Sequence, residues 1–208
     1  MRLAVVLIFL VFGQMAMAQA TPGCDVSQAA MVRETLDQAK SLTIKAAAAV
    51  GDTPEYARWF GSYSEHNAET VRANLKAIVT AFRSGAVVTQ CDTARDDGCS
   101  SGEYAWVYPY EPYRIYLCPG FFNMIPLQAL KPGTTASDNG TAVGTIVHEM
   151  SHFNTVARTA DHCYTRQACA AMASIDPVRA IDNADSYQYF TEDVIYYASQ
   201  PVAGKPAR

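Results

Sequence analysis

The sequence predicts a single α+β domain behind an export leader. Apolar residues recur at helical spacing through most of the first half, stretches rich in Val, Tyr, Trp and Ile occupy residues 87–118, and helical spacing returns after residue 139. Residues 1–20 set one cation, Arg2, before an apolar run over residues 3–12 and close on small side chains. That is the layout of a secretory signal peptide, and the run is too short to span a bilayer. Cleavage after Ala18 or Ala20 leaves residues 21–198 as the domain, with residues 199–208, which contain Pro201, Gly204 and Pro206, as a disordered tail.

Over residues 27–50, Met31, Leu36, Ala39, Leu42 and Ile44 follow near-helical spacing, with Asp25 or Ser27 as cap and Gly51 as stop. Thr53-Pro54 opens a short helical turn ending at Gly61, and a second long pattern runs from Asn67 through Val71, Leu75, Ile78 and Phe82 to Gly85. Residues 87–90, 103–110 and 113–118 carry β-forming side chains separated by Gly, Asp, Ser and Pro, and predict a small antiparallel sheet. Residues 119–139 read as a loop. Asn139 or Thr141 then caps a helix with Val143, Ile146, Val147, Met150 and Phe153 on its apolar side, and further helices are expected near 166–174 and 186–198.

Six cysteines behind an export leader read as a disulfide framework formed in an oxidising compartment, with the pairing left open. Lys and Arg total 16 against 20 Asp and Glu, a net charge of −4 without any basic stripe. Nucleic acid and anionic membrane are therefore excluded as partners, and no later segment approaches a membrane-spanning length.

The motif that carries chemistry is His148-Glu149-Met150-Ser151-His152. One helical turn, ~6 Å along the axis, separates two imidazoles that face away from the apolar stripe, so both can reach one zinc ion at ~2.0 to 2.1 Å. Glu149 leans over the same side, where a carboxylate can take the proton from a metal-activated water that attacks a peptide carbonyl. Catalytic zinc needs a third protein ligand, and Asp161, His162, Cys163, Glu192 and Asp193 are the candidates. Glu192 would be the thermolysin-like solution; Asp161, a few residues past the helix, is the other.

His148 to His152 followed by Thr159-Ala-Asp161-His-Cys-Tyr164 resembles the signature of the aspzincins, the deuterolysin-like metallopeptidases. Thr53-Pro54-x-Tyr56-x-x-Trp59-Phe60-Gly61, Tyr104-x-x-Val107-Tyr108-Pro109, Ile115-Tyr116-Leu117-Cys118 and Asn183-Ala184-Asp185-x-x-x-Tyr189-Phe190 bring it nearer to the peptidyl-lysine metalloendopeptidase branch. The resemblance implies a zincin-type fold with one zinc per chain held by His148, His152 and Asp161. It implies Glu149 as general base and Tyr164 as a hydrogen-bond donor to the oxyanion. It also implies Asp185 in a pocket that accepts lysine after the scissile bond, beside Gln188 where such relatives carry a second acidic residue. Arg158 and Thr165 stand where the family motif has glycines. The implied disulfides are Cys24 with Cys91 and Cys99 with Cys118, leaving Cys163 with Cys169. Because the resemblance begins at Cys24, no long inhibitory pro-segment is expected.

Simpler readings stand beside these. Tyr164 can be a packing residue, Asp185 can cap the last helix, and Tyr187, Tyr189, Phe190, Tyr196 and Tyr197 suit a core better than a substrate cradle. The cleft is expected between sheet and helix, with residues 113–118 as the sheet edge onto which an extended substrate adds. The expected protein is a secreted monomeric zinc endopeptidase acting on proteins or peptides. The alternative is a secreted binding or structural protein that keeps the scaffold without turnover.

Overall fold

The computed structural model describes residues 21–197; the expected leader and tail lie outside them. Helix α1 (Val26–Ala49) begins at Asp25, whose side chain accepts from the Gln28 amide while the Gln28 side chain accepts from the Asp25 amide. This reciprocal capping box settles the choice between Asp25 and Ser27. Helix α1 buries Val32, Ala39, Leu42 and Ala46, whereas Ile44, read as part of the buried stripe, is exposed. In α2 (Pro54–Phe60), capped by Thr53 with Pro54 at its first position, Tyr56, Trp59 and Phe60 all turn inward. Helix α3 (Glu65–Arg83) packs Val71, Leu75, Ile78 and Phe82 on the same core.

The sheet corrects the sequence reading. Strands β1 (Val88–Cys91), β2 (Ala105–Val107) and β3 (Arg114–Leu117) lie in the order β1-β3-β2; β2 pairs antiparallel to β3, but β1 pairs parallel to it. Between β1 and β3 the chain has room to cross over and insert β2, which short-loop reasoning does not anticipate. β3 is consequently the centre of the sheet, and the edge assigned to residues 113–118 belongs to β2. β2 and β3 are also shorter than their patterns, and in β2 Pro109 has no amide to continue the ladder.

The loop over 119–139 contains three short 3-10 turns. Helix α4 (Ala142–His152) follows, capped by Thr141, whose hydroxyl accepts from the Gly144 amide. Next come α5 (Arg166–Ile175), α6 (Pro177–Ile181) and α7 (Ala184–Tyr197). The sequence reading missed α6, a short helix that Asp176 caps and Pro177 starts. Residues 142–151 of α4 are all buried, because α1, α3, α7 and the sheet surround it. The disulfides are Cys24–Cys91, Cys99–Cys118 and Cys163–Cys169, as the resemblance implied. Among the described residues, no helix is long and apolar enough to cross a membrane.

Candidate active site

Helix α4 delivers two imidazoles whose tautomers are fixed by their neighbours. His152 Nδ1 lies 2.8 Å from the Thr159 carbonyl oxygen, which can only accept, so the proton sits on Nδ1 and the lone pair on Nε2. His148 Nδ1 lies 2.7 Å from Asp185 Oδ1 and is fixed in the same sense. The two Nε2 atoms face each other at 3.0 Å, and Asp161 Oδ1 lies 3.3 and 3.5 Å from them. Two nitrogen lone pairs and a carboxylate oxygen thus converge with no donor among them, an arrangement that calls for a cation.

The edges of this triangle fit one ion. Ligand atoms ~2.0 to 2.1 Å from a tetrahedral zinc stand roughly 3.3 Å apart, and His148, His152 and Asp161 come close to that spacing. They form the cluster of metal-type donors among the described residues. The other candidate ligands are engaged elsewhere. His162 Nε2 pairs with Asp182 at 2.7 Å, Cys163 is in a disulfide, and Glu192 and Asp193 are ion-paired to Arg166.

Asp161 and Asp185 draw positive charge to the same point, where a proton on His148 takes the place that a cation would otherwise fill. Burial opposes charge on His148, yet hydrogen bonds to Asp161 and Asp185 raise it well above the ordinary imidazole value; burial and the neighbouring His148 charge lower His152. Glu149 is buried beside them, and burial, reinforced by Asp161 and Asp185, lifts its carboxyl to about 7. A carboxylate so poised exchanges protons near neutrality. Tyr164 is 60% exposed and hydrogen-bonds Asp161. Burial of its hydroxyl and the Asp161 charge lift it to about 12, so it remains a donor at neutral pH.

These groups floor a cleft of about 600 Å³, walled on one side by β2 and on the other by α4 and the start of α7. Gln188 and Asp185 both line it. Gln188 Nε2 donates to the Asn139 carbonyl at 3.2 Å, which leaves its amide oxygen as the uncommitted end. Asp185 does not act as the cap of α7: its Oδ1 meets His148 and its Oδ2 accepts from the Tyr189 hydroxyl at 2.8 Å. Gly144 is required on α4, because a Cβ there would stand 2.1 Å from a Glu192 oxygen and 2.7 Å from Gln188 Cγ.

Sequence reasoning missed several supporting groups. Asn183 Oδ1 accepts from the amides of His162 and Cys163 and so holds the loop that carries Asp161. Tyr189, read as core, is buried but also supports Asp185. Arg158 and Thr165 adopt positive φ, at 58° and 69°. The loop therefore keeps the backbone that glycines would supply at these positions without the glycines.

The family model described as lysine-specific metallo-endopeptidase, aspzincin M35, matches residues 45–192. The chain belongs to the aspzincin M35 family. It is 33% identical over 176 residues to an extracellular protease of Aeromonas hydrophila, covering 82% of this chain and 46% of that one. It is 30% identical to the peptidyl-Lys metalloendopeptidase of Grifola frondosa, covering 88% and 52%, and 30% identical to that of Pleurotus ostreatus, covering 82% and 95%. The chain thus spans about half the length of the first two relatives. A zinc peptidase from Grifola frondosa superposes with a TM-score of 0.70 at 26% identity, covering 86% of this chain and 100% of that one. Aspzincin membership fits the arrangement in which an aspartate beyond the motif helix, rather than a glutamate of α7, joins the two histidines.

Proposed function

We propose that this aspzincin is a secreted zinc endopeptidase that prefers lysine after the scissile bond. The observation that carries the reading is the convergence of His148, His152 and Asp161 lone pairs beside buried Glu149 in one open cleft. His148, His152 and Asp161 would hold the zinc, which when bound polarises the peptide carbonyl and acidifies water. Glu149 takes the proton from the attacking water and passes it to the departing amine. The Tyr164 hydroxyl donates a hydrogen bond to the carbonyl oxygen as it gains charge. The free side of β2 offers backbone groups to an extended substrate, which would lie along the cleft as an added strand.

Lysine preference is supported by the negative charge of Asp185 at the cleft floor, by the acceptor oxygen of Gln188 and by the peptidyl-Lys relatives. Since both Asp185 oxygens already have partners, its contribution is mainly charge. A unit pair at ~4 Å is worth ~4 kcal/mol at an effective dielectric near 20, before desolvation is subtracted. The preference is therefore expected to be looser than with two carboxylates. Export is supported by the leader pattern, the three disulfides and the extracellular relative. The test is digestion of a mixed protein substrate with and without a chelator, followed by mass spectrometry of the products. Chelator-sensitive cleavage with lysine enriched at the new N-termini is expected; chelator-insensitive or absent cleavage refutes the reading.

A further inference from the structure

Beneath the active site, Arg166 sits between three elements that the chemistry must keep in register. It is buried, with 5% exposure, and it begins α5 two residues after Tyr164. One guanidinium nitrogen meets Asp193 Oδ1 at 2.6 Å and another meets Glu192 Oε2, both on α7. Glu192 in turn accepts, through Oε1, from the amide and hydroxyl of Thr141 at 2.7 and 2.8 Å, at the N-terminus of α4. Asp193 accepts from the Trp59 indole of α2 at 3.1 Å. The guanidinium also lies over the Tyr189 ring at 4.7 Å, and Tyr189 supports Asp185, which holds His148.

Thr165, between Tyr164 and Arg166, has φ 69° and ψ 147°. A β-branched residue stays in that region only when its surroundings over-determine it. The backbone after Thr165 is fastened by Arg166 N to the Asp138 carbonyl at 2.9 Å and Gln167 N to Asp138 Oδ1 at 3.1 Å, and the backbone before it by Cys163 N to Asn183 Oδ1 at 3.1 Å. Beyond these backbone ties, the buried guanidinium reaches from this turn to Asp193 on α7 and to Glu192, which holds the start of α4. A lone ion pair would be weak evidence for any role, since apolar replacement of buried pairs is often neutral for stability. Here the paired carboxylates each hold a further element, so the geometry transmits register as well as charge.

We propose that Arg166 is a positioning residue for catalysis, locking the Tyr164 turn to the N-terminus of α4 through Glu192 and to α2 and α7 through Asp193. This role presupposes the peptidase reading above. It explains why Glu192 and Asp193, chemically competent as metal ligands, are not available to the ion. It also explains why a strained turn persists beside the metal donors.

The test severs the link without stranding charge. Arg166→Met with Glu192→Gln and Asp193→Asn removes all three charges, while the new side chains keep acceptors for Thr141 and Trp59. The triple variant should bind zinc like the wild type and keep KM within about twofold, but lose ~10 to 100-fold in kcat. Amide exchange over residues 161–165 should quicken on the order of tenfold. In a Tyr164→Phe background the same triple change should cost no further kcat, because its effect runs through that hydroxyl. Arg166→Lys, which keeps the charge and reaches one carboxylate, should show a smaller loss in the same cycle and serves if the triple variant does not fold. Losses that multiply with Tyr164→Phe, or exchange that stays unchanged, would overturn the proposal. A wild type without peptidase activity refutes the functional reading instead, and leaves amide exchange as an independent measure of the lock.

Discussion

Asp185 Oδ1 lies 2.7 Å from His148 Nδ1, so the carboxylate that the resemblance assigns to a substrate pocket also orients a metal-type histidine. Asp185→Asn keeps an acceptor for His148 but loses the charge and the acceptor for the Tyr189 hydroxyl. Outer-shell changes of this kind weaken metal affinity by ~10 to 100-fold. Competition with a zinc indicator should show that loss together with a weaker lysine preference. Wild-type zinc affinity would mean that the contact orients nothing.

Glu149→Gln and Tyr164→Phe should separate proton transfer from oxyanion stabilisation. Glu149→Gln leaves the three metal donors intact, so zinc analysis should find the ion bound while turnover falls by ~10² to 10⁴. Tyr164→Phe should lower kcat by ~10² to 10³ with KM nearly unchanged, since the hydroxyl acts on charge that develops during the reaction. A near-normal rate in either variant removes that residue from the mechanism.

Thr165→Gly should stabilise the protein. Relief of the backbone at φ 69° is worth ~1 to 3 kcal/mol. Against it stand a few tenths for the cap that the Thr165 hydroxyl gives Ala168, and ~1 kcal/mol for the freer unfolded chain. A net gain of about 1 kcal/mol raises Tm by ~2 to 4 °C in a domain of this size. Calorimetry showing a lower Tm would mean that the threonine side chain does more for the turn than its backbone costs.

Stability should carry a signature of Glu192. Burial lifts its carboxyl to about 7 from an ordinary 4.5, against the pull of Arg166 and of the hydrogen bonds from Thr141. Between those values the folded protein keeps a proton that the unfolded chain releases. Its contribution is therefore full below about 4.5 and is lost as pH rises through about 7. The Tm difference between wild type and Glu192→Gln should shrink from pH 5 to pH 8. A difference that grows over that range contradicts the raised value.

Gln188→Glu should sharpen the preference for lysine by adding a second negative charge, at the cost of the amide's bond to the Asn139 carbonyl. The exchange sets a carboxylate against a carbonyl oxygen, so a stability loss of ~1 kcal/mol is expected alongside. Product sequencing and a thermal melt read the two effects. An unchanged cleavage pattern would place lysine recognition away from Gln188.

What could be read from the chain alone was whatever depends on local spacing. One turn between His148 and His152, the helical start at Thr53-Pro54 and the helix patterns are properties of neighbouring residues, and the structure brings His148, Glu149, His152, Asp161 and Tyr164 to one cleft. Family motifs added Asp161 over the other candidate ligands, which spacing had left open. What only the tertiary structure decided are relations between residues far apart in sequence. The parallel pairing of β1 with β3 depends on a crossover, and the edge therefore passes to β2. Tyr189 looks like one more core aromatic until its hydroxyl is seen on Asp185. Glu192 and Asp193 look like ligands until Arg166, whose charge carries no periodic signal, is found between them. A buried ion neutralises whichever partner the packing presents, and no pattern along the chain records that choice.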